Sequence, residues 1–391
     1  MEAIYAMKAR YPLKRGESIV ELRHATSRHP YLHYDYYFDS EGKPDEFAKL
    51  LNCFQAPLYF LLKGRLGLSD PYPLFMQDPG FHLVRRPDGG LSGIEPRQSW
   101  SSGPYFDIGV HRTSGAAGLA KLCELLDQGC FVMLQTHSQR VPFYRHFQSL
   151  DFPFNEPVHN SLQNHFFTIV GYEEDAFYFM DSIWEIRQES FVPYRGFKHM
   201  GIVRQAELEP AFRSFMNIYT FEPKRAAVEA ALTPQGTLDM LDHVRKQARG
   251  PAEERQGLIC ENELQGLDSL VAACERGEFV LSGKPDRYDL NWCALLEWKF
   301  DNLRQRKFIL LRCMEMSPLF QEQPYRELVR MWADNTTLWL VFVSKLRKLL
   351  RTQKFPAPQE LALSLDKLRL SEYALIEGLE RLFAQIDSKN C

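Results

Sequence analysis

The sequence contains no apolar run approaching the roughly 20 residues that a membrane-spanning helix needs. Its longest, such as residues 338–343, stop far short, so no membrane association is expected. The N-terminus, Met-Glu-Ala-Ile-Tyr-Ala-Met-Lys-Ala-Arg, lacks the basic-then-apolar plan of a signal peptide. There is no Cys-x-x-Cys pair. The eight cysteines (53, 123, 130, 260, 274, 293, 313, 391) are scattered along 391 residues, the usage of a reduced cytoplasmic protein rather than a disulfide framework. A net charge of -3 lacks the basic excess of a dedicated nucleic-acid binder. No Gly-x-Ser-x-Gly elbow, phosphate-cradling Gly-x-x-x-x-Gly-Lys or dinucleotide fingerprint is found. His24, His29 and His33, or His137 and His146, are not joined by Cys or carboxylate spacing into a metal site, so no metal is expected. Internal repeats and low-complexity segments are absent too.

What is present is ordinary in bulk and uneven in texture. Apolar residues make up 45% and charged residues 25%, and the length suits two domains. Residues 1–45 carry short β-like stretches and turns. Residues 69–113, rich in Pro, Gly, Asp and Ser, read as a long surface excursion. A helix is expected from Ser114 to Gln128, then a buried strand at 130–136, strands at 165–172 and 177–182, and further strands at 201–204 and 217–221 around a helix at 207–216. Beyond about Pro223 strand patterns fade, and helical periodicity runs through 237–249, 263–276, 291–315, 325–350 and 360–386. The expected architecture is α+β: a catalytic domain over 1–225, with an antiparallel sheet and a nucleophile helix, followed by an all-helical domain over 226–391.

Cys53 lies in Asn-Cys-Phe-Gln-Ala-Pro, just ahead of apolar positions 54, 58, 61, 62 and 66 at helical spacing. Pro57 blocks a helix from running through Cys53, because its ring collides with the carbonyl four residues earlier; the helix must restart there. A thiol at a helix N-terminus is activated by oriented N–H groups. His165 opens the strand Asn-His-Phe-Phe-Thr-Ile-Val-Gly-Tyr, and Asp181 ends Phe-Tyr-Phe-Met-Asp. A nucleophile, an imidazole to carry its proton and a carboxylate to orient that imidazole make a catalytic triad. A three-residue loop at 173–175 puts His165 and Asp181 diagonally on one face, whereas a two-residue loop puts them on opposite faces. The Cys53 N–H is the natural oxyanion donor, with Asn52 or Gln55 as the second. Arg140 and Arg145 are candidate contacts for an anionic substrate or a carrier phosphopantetheine. Lys345, Arg347, Lys348 and Arg351 form a basic helix end that suits an acidic partner or simply the helix dipole.

At these residues the sequence resembles the butirosin biosynthesis H family, papain-like cysteine acyltransferases related to bacteriocin-processing cysteine peptidases. Asn-Cys-Phe-Gln-Ala, Asn-His-Phe-Phe-Thr-Ile-Val-Gly-Tyr, Phe-Tyr-Phe-Met-Asp-Ser and the Gly266-Leu-Asp-Ser-Leu segment carry the likeness. The resemblance implies that an acyl group arrives as a thioester on an acyl or peptidyl carrier protein and passes to Cys53. A small amine acceptor then takes it as an amide, in bacterial secondary-metabolite (antibiotic) biosynthesis. His165 is the implied base and Asp181 the orienting acid, with no cofactor beyond the carrier's phosphopantetheine. Two other readings stay open: a cysteine peptidase or amidase with the same triad, and a catalytically inactive binding protein.

Overall fold

A computed structural model describes residues 47–98, 100–137, 141, 143–144, 164–173, 175–181, 200–212, 216–283 and 290–390. In chain order the helices are α1 (Gln55–Leu66), α2 (Gly115–Asp127), α3 (Gln205–Phe212), α4 (Arg225–Ala231), α5 (Pro234–Ala248), α6 (Glu263–Glu275), α7 (Cys293–Met316), α8 (Tyr325–Thr352) and α9 (Pro358–Asn390). The strands are β1 (Phe81–Arg85), β2 (Leu91–Pro96), β3 (Phe106–Arg112), β4 (Val132–His137), β5 (Asn164–Glu173), β6 (Ala176–Met180), β7 (Met200–Arg204), β8 (Met216–Pro223), β9 (Glu253–Arg255) and β10 (Leu258–Asn262). The protein is α+β with antiparallel sheets. Among the described residues no helix is long and apolar enough to cross a membrane.

The described chain forms two compact units: residues up to Pro71 with Ser101–Ala230, and Tyr72–Trp100 with the chain from Ala231 onward. In the first unit an antiparallel six-stranded sheet runs β3-β8-β4-β5-β6-β7. One face carries Val132, Leu134, Phe167, Ile169 and Ile218, buried with Leu119, Leu122, Leu125 and Leu126 of α2 and Leu208 and Phe212 of α3. Toward the other face α1 contributes contacts to β8. Residues 55–62 of α1 are buried on every side, the mark of a helix embedded in a core.

The second unit differs from expectation. Besides the helices it holds a four-stranded sheet, β2-β1-β10-β9, so the chain after Pro223 is not all-helical and residues 69–113 are not a bare excursion. Three physical reasons hid β2, β9 and, in the first unit's sheet, β3. β2 holds Gly93 and Pro96, yet it lies at a sheet edge, where a missing N–H costs no ladder bond. β9, Glu-Glu-Arg, is wholly exposed, a charged edge that reads as loop. β3 does alternate Phe106, Ile108, Val110 with polar residues and Gly109, a period-2 signal submerged in its Pro/Gly/Ser-rich surroundings. α6 lies close on β1 because Gly266 has no side chain: a Cβ there would come within 2.8 Å of Leu83 Cβ.

The helical core of this unit encloses a charge. Lys307 Nζ lies 3.3 Å from Glu263 and 2.9 Å from Glu372, with all three side chains buried. Trp332 and Trp339 flank the ammonium with ring centroids at 5.8 and 5.3 Å. Asn335 and Trp339 donate to Glu372. Arg97, paired with Asp78 at 2.8 Å, also lies 3.6 Å from Glu263, and burial pushes the Glu263 carboxyl up to about 7 despite the attraction of Lys307 and Arg97.

Candidate active site

The Cys53 end of α1 is built by its neighbours in sequence. A 3-10 turn at Ala48–Leu50 stops at Leu51, whose backbone is extended (φ -87, ψ 146). Helical bonding restarts when Ala56 N–H donates to Asn52 O at 3.0 Å. Asn52 is therefore the cap by hydrogen bonding, although regular helix begins at Gln55. Its Oδ1 accepts from Phe54 N (3.0 Å) and Gln55 N (2.9 Å). Gln55 reaches back, its Oε1 accepting from Asn52 N at 3.4 Å. This reciprocal arrangement is a capping box, and it holds Cys53 in the turn that leads into α1. Pro57, lacking an N–H, leaves the Cys53 carbonyl without the usual helical partner, as its position predicts. Cys53 is half-buried and unoxidised.

His165 and Asp181 meet in the core of the same unit, 6% and 1% exposed. His165 Nε2 lies 2.9 and 2.8 Å from the two Asp181 carboxylate oxygens. A carboxylate only accepts, so Nε2 carries the hydrogen and donates, leaving Nδ1 for another partner. Cys53 lies close enough for its charge and side chain to act on the imidazole. Burial works against the imidazolium, but the charges of Asp181 and Cys53 and their hydrogen bonds hold His165 well above the usual histidine range. The Tyr144 ring stands edge-on to the imidazole, centroids 4.8 Å apart and planes at 82°. Phe54, next to Cys53, packs on Phe166, next to His165, with centroids 4.7 Å apart.

The hairpin reaches this juxtaposition by an unexpected route. Glu173 faces Ala176, so the loop has two residues and not three. With unbroken register, that would send His165 and Asp181 to opposite faces. A bulge intervenes: Gly171 faces Tyr178 while Ile169 faces Phe179, so Val170 is the extra residue. Beyond it the ladder continues to Thr168 and Met180, and one more step sets Phe167 opposite Asp181. His165 and Asp181 then share a face as diagonal neighbours. The bulge does what a longer loop was expected to do.

The other singled-out residues divide clearly. Asn52 commits its side-chain oxygen to capping. Gln55 is 2% exposed, and its Nε2 is buried with no hydrogen-bond partner. Because Oε1 of the same amide points to the Asn52 N–H, Nε2 is an unspent donor within two residues of the sulfur. Arg140 and Arg145 lie outside the described residues, as do His24, His29, His33 and His146. Among the described residues no cluster of His, Cys, Asp and Glu could hold a metal. Burial raises the thiol pKa of Cys123, Cys130, Cys260, Cys274, Cys293 and Cys313, Cys274 to about 12 and Cys293 to about 11. Among the described residues none of these six hydrogen-bonds a histidine that is itself held by a carboxylate. Neither a known family model nor any curated protein matches the chain.

Proposed function

We propose that the first unit is a papain-like catalytic unit, and that the protein is a cysteine-dependent acyltransferase of the kind the butirosin biosynthesis H family represents. The observation that carries this reading is the buried His165–Asp181 pair with Cys53, in the capped turn ahead of α1, close enough to act on the imidazole. The Cys53 thiolate attacks the carbonyl carbon of an acyl thioester borne on the phosphopantetheine of an acyl or peptidyl carrier protein. The oxyanion that forms is met by the Cys53 N–H and Gln55 Nε2. As the intermediate collapses, the carbon–sulfur bond to the carrier breaks and the imidazolium of His165 protonates the departing thiolate. A small amine then attacks the acyl-enzyme, His165 takes its proton, and Cys53 leaves as the amide forms. Asp181 keeps the imidazole in one tautomer throughout.

Intact-mass measurement after incubation with an acyl thioester tests the first half. The wild type and Cys123→Ala are expected to gain one acyl group, and Cys53→Ala none. Persistence of the adduct in Cys53→Ala removes the proposed nucleophile. Adding primary amines tests the second half: amide product supports transfer, whereas acid alone would mark a hydrolase.

A further inference from the structure

The sheet that carries His165 presents a second, half-open face. In antiparallel pairing, directly opposed residues project to the same side. Phe166 of β5 opposes Gln135 of β4, Gln135 opposes Asn217 of β8, and Asn217 opposes Arg112 of β3. These four side chains form one row across the sheet. It begins at Phe166, whose ring touches Phe54 beside Cys53. It ends at Arg112 on the edge strand, three strand spacings or about 14 Å away. The row is polar in the middle: Asn217 Nδ2 donates to Gln135 Oε1 at 3.1 Å, and Tyr219 OH donates to the same oxygen at 3.0 Å. With Oε1 occupied, the Gln135 Nε2 hydrogens and Asn217 Oδ1 remain for a ligand. Arg112 is exposed and has no acidic partner among the described residues. On the same face beside it, Val110 and Ile108 are 49% and 39% exposed.

We infer that this row is the binding track for the pantetheine arm of the acyl donor, an inference that rests on the function proposed above. The arm is a chain with two amides ending in a phosphodiester. With the thioester carbonyl at Cys53, the arm crosses Phe166, its amides meet Gln135 and Asn217, and its phosphodiester meets Arg112. The far end emerges at β3, the edge strand of the sheet. A purely aliphatic chain would leave the polar middle of the row unused. The cation at the far end matches an anionic terminus.

The test compares butyryl-phosphopantetheine with butyryl N-acetylcysteamine thioester, which lacks the distal amide and the phosphate. The readout is the rate of Cys53 acylation by intact mass. The wild type is expected to prefer the long donor at least tenfold. Arg112→Glu is expected to cut that preference about tenfold and Gln135→Leu to cut it less. Lys121→Glu on α2, the same charge change away from the row, keeps the preference. If both donors acylate Cys53 but the preference is absent or unmoved by Arg112→Glu, the track is overturned while the enzyme stands. If a peptide thioester with a terminal carboxylate is the donor that loses rate in Arg112→Glu, the row holds the acyl side and the inference is also overturned. Should neither thioester acylate the wild type, the proposed function itself fails.

Discussion

Asn52 and Gln55 decide whether the sulfur between them is presented or buried. Their reciprocal bonds leave the Cys53 N–H and the Gln55 Nε2 as the donors not consumed by the helix start. Asn52→Ala removes the acceptor for two N–H groups and is expected to destabilise by about 1 kcal/mol. It should also slow alkylation of Cys53 by iodoacetamide; thermal unfolding and alkylation rates check the two effects. Gln55→Leu keeps the burial but deletes the proposed oxyanion donor, with an expected loss on the order of 10²–10³ in acylation rate and only a small drop in unfolding temperature from losing the 3.4 Å bond to Asn52 N. At His165 the sign of the pH effect follows from its raised pKa. A thiolate–imidazolium pair fails when the imidazolium loses its proton, so a raised pKa carries activity further into the alkaline range. Asp181→Asn removes the carboxylate that raises it. The alkaline limb of the acylation profile should therefore move to lower pH, with a rate loss on the order of 10²–10⁴. These residues were legible because capping chemistry and triad chemistry each act through short motifs. The free amide hydrogens of Gln55 were not, since only packing reveals which end of an amide is spent.

The hairpin of β5 and β6 carries the lesson for whole elements. The limits of β4 to β8 were readable from apolar patterning to within two residues, and the five long helices of the second unit to within four. The register was not, because a bulge leaves no compositional mark beyond a Val-Gly pair. Two single-residue deletions separate its contributions. Removing Val170 deletes the extra residue and keeps every pair on either side, so acylation of Cys53 should persist at lowered stability. Removing Thr168 shortens the strand between the bulge and His165, turning the imidazole to the opposite face; acylation should vanish. Equal loss in both variants, with circular dichroism showing folded protein, would contradict the register argument. The missed strands β2 and β9 teach a related point. Edge positions tolerate proline and charge, so their sequences resemble loops.

For the molecule as a whole, the Lys307–Glu263–Glu372 cluster links stability to acidity. Folded Glu263 holds its proton up to about 7, well above its ordinary value of 4.5. The folded state then binds more protons than the unfolded chain between those values, so stability falls as pH rises through that window. Unfolding temperatures measured across it should decline in the wild type and decline less in Glu263→Gln. Lys307→Met leaves the buried Glu372 carboxylate without its cation and is expected to cost about 3–5 kcal/mol at neutral pH. None of this was visible beforehand, because residues 263, 307 and 372 lie on three helices whose charged positions look like ordinary solvated faces.

The burial of α1 on all sides has a consequence for the kinetics of inactivation. A nucleophile mounted on a surface helix can lose its alignment through local fraying while the body of the protein stays intact. Here eight consecutive residues behind Cys53 are enclosed, so the sulfur has no independent way to drift. Heating should therefore silence the thiol and melt the surrounding aromatic packing in a single event. The two curves, one from alkylation and one from near-ultraviolet dichroism, are expected to superimpose.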